Sequence, residues 1–343
     1  MSLEYPSTTY VVGVDMGGTK TLVSLVRLAT TSGGTGTVEP GSPLEIVERE
    51  EVPSSAGSLA AVDVIESGVV QMIDRAGTDR PVRAVGVGLA GYLDLDGTVR
   101  VAPNAPGLVG IDLRARLADT VGLPVTTEND ANCVAIAANH LLAPASGDLV
   151  AVTLGTGIGG GIVLDGELVR GAHGFAAEPG HTVIDPSGPR CPCGQRGCWE
   201  RFASGSGLRY LARRAAEAGN ADAVRRRAGS LDAIRGELIT AMVAEGDRGA
   251  VAIFDEFIRY LTIGVANLIN IIDPEVIVLG GGLIEAGDRL VDGVRTELRA
   301  NYPTTTVRRD VRVEASPGGP DAGALGAGLV AAGMVFGGSD GEG

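Results

Sequence analysis

The chain has 343 residues, 44% of them hydrophobic, which suits about two globular domains with room for real cores. A net charge of −14 argues against a nucleic-acid partner, because neutralising phosphates takes clustered Lys and Arg. The longest apolar stretch, around Leu261 to Ile272, is too short to cross a bilayer, and the opening MSLEYPSTTY has no signal-peptide pattern. A cytoplasmic protein with reduced thiols and no membrane contact is therefore expected.

Fifty-three glycines fall largely in clusters, and the first lies in VVGVDMGGTK, Val11 to Lys20. An apolar strand ends in Asp15, turns at Gly17 and Gly18, and returns as a second strand from Thr21 to Leu28. The turn is either an ordinary hairpin or a phosphate cradle built from backbone N–H groups, the Thr19 hydroxyl and Lys20. Asp15 favours the second reading, since an acid ending a buried strand calls for a cation, and Mg²⁺ held through water suits a site beside phosphates. Residues 30–43 form a turn-rich polar insert, and helices are predicted at Leu59 to Ala76 and Leu113 to Val121.

Asn104, in APNAP, is either a turn residue or an amide that bridges sugar hydroxyls. A strand then ends in Glu128, Asn129 and Asp130 ahead of an Ala-rich helix. Asp130 either caps that helix or acts as a base at the carboxyl end of a strand, and the two roles are compatible. Leu149 to Leu164 repeats the first design, an apolar strand turning at Gly155, Thr156 and Gly157 into a returning strand. Two such hairpins suggest related half-domains that grip a polyphosphate from both sides.

His181, Cys191, Cys193 and Cys198 follow in an H-x9-C-x-C-x4-C pattern flanked by Glu178 and Glu200. One His and three Cys close a tetrahedral structural zinc site, and CPCGQRGC is rich in turn formers. Redox-active or inert thiols are the alternatives. Helices are predicted at Gly207 to Ala218, Leu231 to Ala244 and Ala250 to Ile272, before a strand that runs into Gly280, Gly281 and Gly282. That bare junction lets a flat ring such as adenine approach the backbone. Neither a P-loop nor a G-x-G-x-x-G fingerprint is present. A small-residue helix, Asp321 to Ala332, is expected to cross back onto the first domain, and the last residues to be disordered.

From about Val11 to Val330 these motifs together resemble the ROK family of bacterial sugar kinases: DxGGTK, END, LGTGIGGG, ExGH and CxCGxxGCxE. The resemblance implies an actin-like, hexokinase-type (ribonuclease H-like) α/β fold of two domains, residues 1–128 plus 320–343 and 129–319, with an interdomain cleft for ATP and sugar. It implies Asp130 as base, and sugar contacts from Asn104, Asn129, Asp130, Glu178, His181 and Glu200. It also implies zinc on His181, Cys191, Cys193 and Cys198, so that His181 serves metal and sugar through its two ring nitrogens. The implied reaction is transfer of the ATP γ-phosphoryl group, with Mg²⁺, to a hexose 6-hydroxyl, glucose first and N-acetylglucosamine or N-acetylmannosamine as alternatives. A homo-oligomer, dimer or tetramer, is expected. The family also holds sugar-responsive repressors with an added winged helix, for which the residues before Val11 are expected to leave no room. Pro179 departs from many relatives and puts the sugar-side loop in question.

Overall fold

The structure, a computed structural model, describes residues 7–18, 20–30, 38–54, 58–302 and 311–336. The chain begins with β1 (Ser7–Met16), β2 (Lys20–Thr30), β3 (Leu44–Pro53), α1 (Ser58–Ala76) and β4 (Val82–Leu89). Next come the short pair β5 (Tyr92–Leu93) and β6 (Val99–Val101), α2 (Leu113–Val121), β7 (Val125–Asn129) and α3 (Asp130–Leu142). A second series runs β8 (Leu149–Leu154), β9 (Ile158–Leu164), β10 (Glu167–Leu168), α4 (Glu200–Ala203), α5 (Gly205–Glu217), α6 (Asp222–Ala228), α7 (Gly236–Ala244) and α8 (Arg248–Ile272). β11 (Val276–Gly280), α9 (Asp288–Asn301), β12 (Arg312–Ala315) and α10 (Ala322–Phe336) complete it. None of the described helices is long and apolar enough to cross a membrane.

The two principal sheets repeat one plan. The first has the order β3-β2-β1-β4-β7, an antiparallel meander continued by two parallel strands, and the second has the order β10-β9-β8-β11-β12. The duplication read from the two Gly-rich hairpins is thus realised as two sheets of the same order, the actin-like α/β architecture. Two compact units result, Met1–Ala151 with Gly161–Ala177 and Ser316–Gly343, and Val152–Gly160 with Glu178–Ala315.

In the first unit the strand period of two sorts β1 between two cores. Val12, Val14 and Met16 join Val62, Ile65, Val69 and Met72 of α1, while Val11 joins Val26, Leu28 and the apolar side of α10. Burying each such aliphatic side chain contributes about 1.5–3 kcal/mol. α10 rests on bare backbone: a Cβ on Gly13 of β1 would lie 2.0 Å from the Ala324 carbonyl oxygen, and one on Gly86 of β4 1.9 Å from that of Ala327. Only glycine lets helix and sheet approach so closely.

The expected domain break after Glu128 falls inside this unit. The reason is α3, which packs against α10 so tightly that a Cβ on Gly326 would stand 1.8 Å from the Cys133 carbonyl oxygen. In the second unit, α7 starts at Gly236 and not at Leu231, because residues 230–234 close into a turn with Ala233 N–H on Ser230 Oγ at 3.2 Å. α6 is an element the sequence pattern did not announce. α8 begins at Arg248, two residues before its predicted start, since Asp247 caps it by accepting from Ala250 N–H at 2.9 Å.

Candidate active site

In the first unit β1 carries Asp15 to the end of the strand, just before the turn that Gly17 N–H closes on the Lys20 carbonyl at 3.0 Å. Asp15 shares a strand face with Val11 and Gly13, so it points toward α10. Gly323 leaves room for it there, since a Cβ at that position would lie 2.5 Å from the Asp15 carboxylate. Burial, and then the charge of Asp130, raise Asp15 from 3.8 to about 7.

Asp130 is the first residue of α3, but it is not the cap. Asn129 takes that role, its Oδ1 accepting from the N–H groups of Ala131 (2.9 Å) and Asn132 (3.1 Å) while its Nδ2 donates to the Gly91 carbonyl (3.1 Å). Asp130 accepts from the Ala131 N–H at 2.9 Å, and no side chain among the described residues is bonded to it. Burial raises its pKa as well. A carboxylate at a helix N-terminus, spared from capping and more basic than usual, suits a proton acceptor. Glu128, by contrast, is spent on scaffolding: Oε1 accepts from Asn129 N–H and Asn132 Nδ2, both at 2.9 Å, and Oε2 from Arg170 Nε at 2.8 Å.

Asn104 stands against the same turn, its Nδ2 3.0 Å from where a Cβ on Gly18 would be. Lys20 is exposed and paired with Glu51 at 2.9 Å, a surface ion pair weak enough to be exchanged for another anion. Thr19 lies outside the described residues. Ser54, which no motif marks, ties the turn to β3 by donating to the Gly17 carbonyl at 2.9 Å and pairing with Thr21 Oγ1 at 2.9 Å.

In the second unit Gly155 N–H bonds the Gly157 carbonyl at 3.0 Å, closing the turn that contains Thr156. The start of α5 is stitched onto it through Gly205 N–H to the Gly155 carbonyl (2.8 Å) and Ser206 N–H to the Thr156 carbonyl (3.3 Å). Gly281 has φ +85°, and a Cβ there would lie 2.6 Å from the Leu154 carbonyl oxygen. The run Gly280, Gly281 and Gly282 therefore lies beside the end of β8.

Glu200 links this turn to the cysteine loop. Its Oε2 is 2.5 Å from where a Cβ on Gly157 would stand, and its Oε1 accepts from Cys191 Sγ at 3.1 Å and lies 3.9 Å from His181 Nδ1. The donor atoms of His181, Cys191, Cys193 and Cys198 all lie within 4.8 Å of one another. Cys193 and Cys198 Sγ are 3.6 Å apart, and His181 Nδ1 is 3.8 Å from Cys191 Sγ. A tetrahedral zinc ion with Zn–S bonds of about 2.3 Å needs donor separations of about 3.8 Å, so these residues fit the metal.

Trp199 anchors the loop. Its ring is fully buried over Gly264 of α8, where a Cβ would come within 2.0 Å, and its Nε1 donates to the Tyr260 carbonyl at 2.9 Å. Pro179 does not disturb the neighbouring segment. It opens the 3₁₀ turn Pro179–His181, where its fixed φ is favourable, and His181 N–H donates back to the Glu178 carbonyl at 3.2 Å.

Residues 11–333 match the model of the ROK family. The chain is 35% identical over 318 residues to the glucokinase of Thermotoga maritima, covering 92% of this chain and 95% of that one. It is 30% identical over 323 residues to the N-acetylmannosamine kinase of Citrobacter koseri, covering 94% and 98%. A crystal structure of a ROK family glucokinase from Streptomyces griseus in complex with glucose and AMPPNP superposes with a TM-score of 0.78 at 34% identity, covering 94% of this chain and 99% of that one. With the motifs, the duplicated sheet order and a family match along nearly its whole length, the chain belongs to the ROK family.

Proposed function

We propose that this protein is an ATP-dependent hexose kinase that phosphorylates the 6-hydroxyl of glucose. The observation that carries the reading is Asp130, a carboxylate at the N-terminus of α3 that Asn129 spares from capping and burial makes more basic, in a chain similar along its length to glucokinases. Asp130 accepts the hydroxyl proton as the oxygen attacks the γ-phosphorus, and ADP leaves in line.

The turns at Gly17–Gly18 and Gly155–Gly157 offer backbone N–H groups to the phosphates. Gly280, Gly281 and Gly282 leave space for the adenine face. Mg²⁺, when bound, offsets charge on the phosphoryl oxygens. Asp15 would hold that ion through its carboxylate, whose charged form burial disfavours and a cation would favour.

Asn104, Asn129, Glu178, His181 and Glu200 are the proposed hydroxyl contacts. The zinc set fixes the ring of His181, whose Nδ1 faces Cys191 while Nε2 lies on the opposite side of the ring. Zinc, when bound, is structural, because four protein donors fill its coordination.

The test is ADP release in a coupled assay with glucose, mannose, N-acetylglucosamine, N-acetylmannosamine and fructose. Glucose is expected to give the highest kcat/KM. A higher value for N-acetylmannosamine would reassign the acceptor, and no ADP with any sugar would end the kinase reading.

A further inference from the structure

A cavity of about 150 Å³ in the first unit is lined by Arg114, Thr126, Glu128, Arg170, Asp94 and Met334 among others. It is bounded by β7, the last strand of its sheet, the N-terminal turn of α2 and the end of α10. Its charges are unequally satisfied. Asp94 is fully engaged, accepting from the N–H groups of Asp96 (3.1 Å) and Thr98 (2.9 Å) and from Arg100 Nε (2.7 Å). Glu128 is engaged by Arg170, Asn129 and Asn132. Arg114 is half-buried and, among the described residues, makes no hydrogen bond or ion pair.

A guanidinium confined in a protein with a net charge of −14, where carboxylates abound, would ordinarily find one. Arg170 stands in the same cavity with 42% of its side chain exposed, so donors beyond its bond to Glu128 remain available. The Thr126 hydroxyl also has no hydrogen-bond partner among the described residues. Two guanidinium forks and a hydroxyl facing one small cavity form a receptor for a tetrahedral oxyanion.

We infer that this cavity binds a phosphate group, free or as a phosphate monoester, between Arg114 and Arg170. The site is coupled to α3. Arg170 holds Glu128 Oε2, and Glu128 Oε1 holds Asn129 N–H and the Asn132 amide in the first turn of α3, next to Asp130. A phosphate that draws Arg170 away loosens this brace, so occupancy lowers turnover; Glu128 and Arg170 act here as positioning residues.

The experiment is calorimetric titration of the full-length protein, without sugar or nucleotide, with inorganic phosphate in one arm and glucose 6-phosphate in the other, at ionic strength held constant with chloride. Wild type is expected to show saturable binding that Arg114→Gln weakens at least ~10-fold, the loss expected for a hydrogen bond to a charged group, and that Arg114→Lys partly restores. Binding of inorganic phosphate assigns the site to the free ion. Binding of the sugar phosphate alone assigns the site to the monoester where Arg114→Gln weakens it, whereas sugar-phosphate binding that Arg114→Gln leaves unchanged is product binding at the active site and overturns the proposal. Turnover inhibition by the same anion should weaken in parallel in Arg114→Gln. Equal binding by wild type and Arg114→Gln, or no binding in either arm, would overturn the proposal, and neither outcome bears on the kinase assay.

Discussion

The two Gly-rich turns end equivalent strands in sheets of the same order, yet their surroundings differ. β1 ends in Asp15-Met16 before Gly17 and β8 ends in Thr153-Leu154 before Gly155, with the apolar residue before the glycine buried in both. The first turn has an acid behind it and a second acid, Asp130, as its electrostatic neighbour. The second has a neutral threonine at that place, and its carboxylate, Glu200, comes from the far side, tethered to the cysteine loop. One backbone device has thus been kept twice, with two buried carboxylates beside one copy and a loop that gathers His181 and three cysteines beside the other.

The contrast is tested most severely at Asp130. Asp130→Asn should lower kcat about 10²–10⁴-fold with little change in glucose KM. Asn129→Ala should raise glucose KM and in addition cost about 1 kcal/mol of stability in denaturant titrations, as loss of a cap does. If Asp130→Asn turns over normally, the first turn has no base beside it.

On the second side, removal of zinc by a chelator, or Cys193→Ser, should raise glucose KM ~10–100-fold while ATP KM stays near that of wild type, because the loop orients His181 and Glu200. Elemental analysis should find about one zinc per chain before treatment, and a metal-free protein of full activity would remove the metal from the account.

A smaller effect separates the glycines of the second turn. Gly157→Ala meets Glu200 Oε2 at 2.5 Å, whereas Gly155→Ala meets nothing within 4 Å. Steady-state kinetics should show sugar KM rising roughly 3–10-fold for Gly157→Ala and much less for Gly155→Ala.

The mildest test concerns stability and pH. Folding raises Asp15 from 3.8 to about 7, so its folded-state advantage is complete below about pH 4 and is lost as pH rises through 7. Asp15→Asn, without nucleotide or divalent cation, should match wild-type Tm at pH 4 and exceed it by a few degrees at pH 8.

Much of this plan is written locally in the sequence. Repeated apolar-Gly-Thr segments announced two hairpins, and four donors at fixed spacing announced the cluster that the loop gathers. Less local features were not legible. Glu128, Asn129 and Asp130 can all accept hydrogen bonds, and only the path of the chain out of β7 gives the cap to Asn129 and the brace to Glu128. α6 has seven residues, too few for helical periodicity to show. The role of Ser54 depends on the end of β3 reaching Gly17, a contact 37 residues apart in the chain. The division of units runs through the second hairpin, because α3 belongs with α10, whose place is set by glycines far away in sequence.

That glycine-lined seat for α10 also sets a timetable. The helix ends at residue 336, while the strand it covers is finished at residue 16, so at ~5–20 residues per second the ribosome leaves β1 without its cover for roughly 15–60 s. Val11, Gly13 and Asp15 wait through that interval with one face of their strand open. Asp15, which Gly323 of α10 helps to enclose, therefore reaches its raised pKa only after residue 336 has been made.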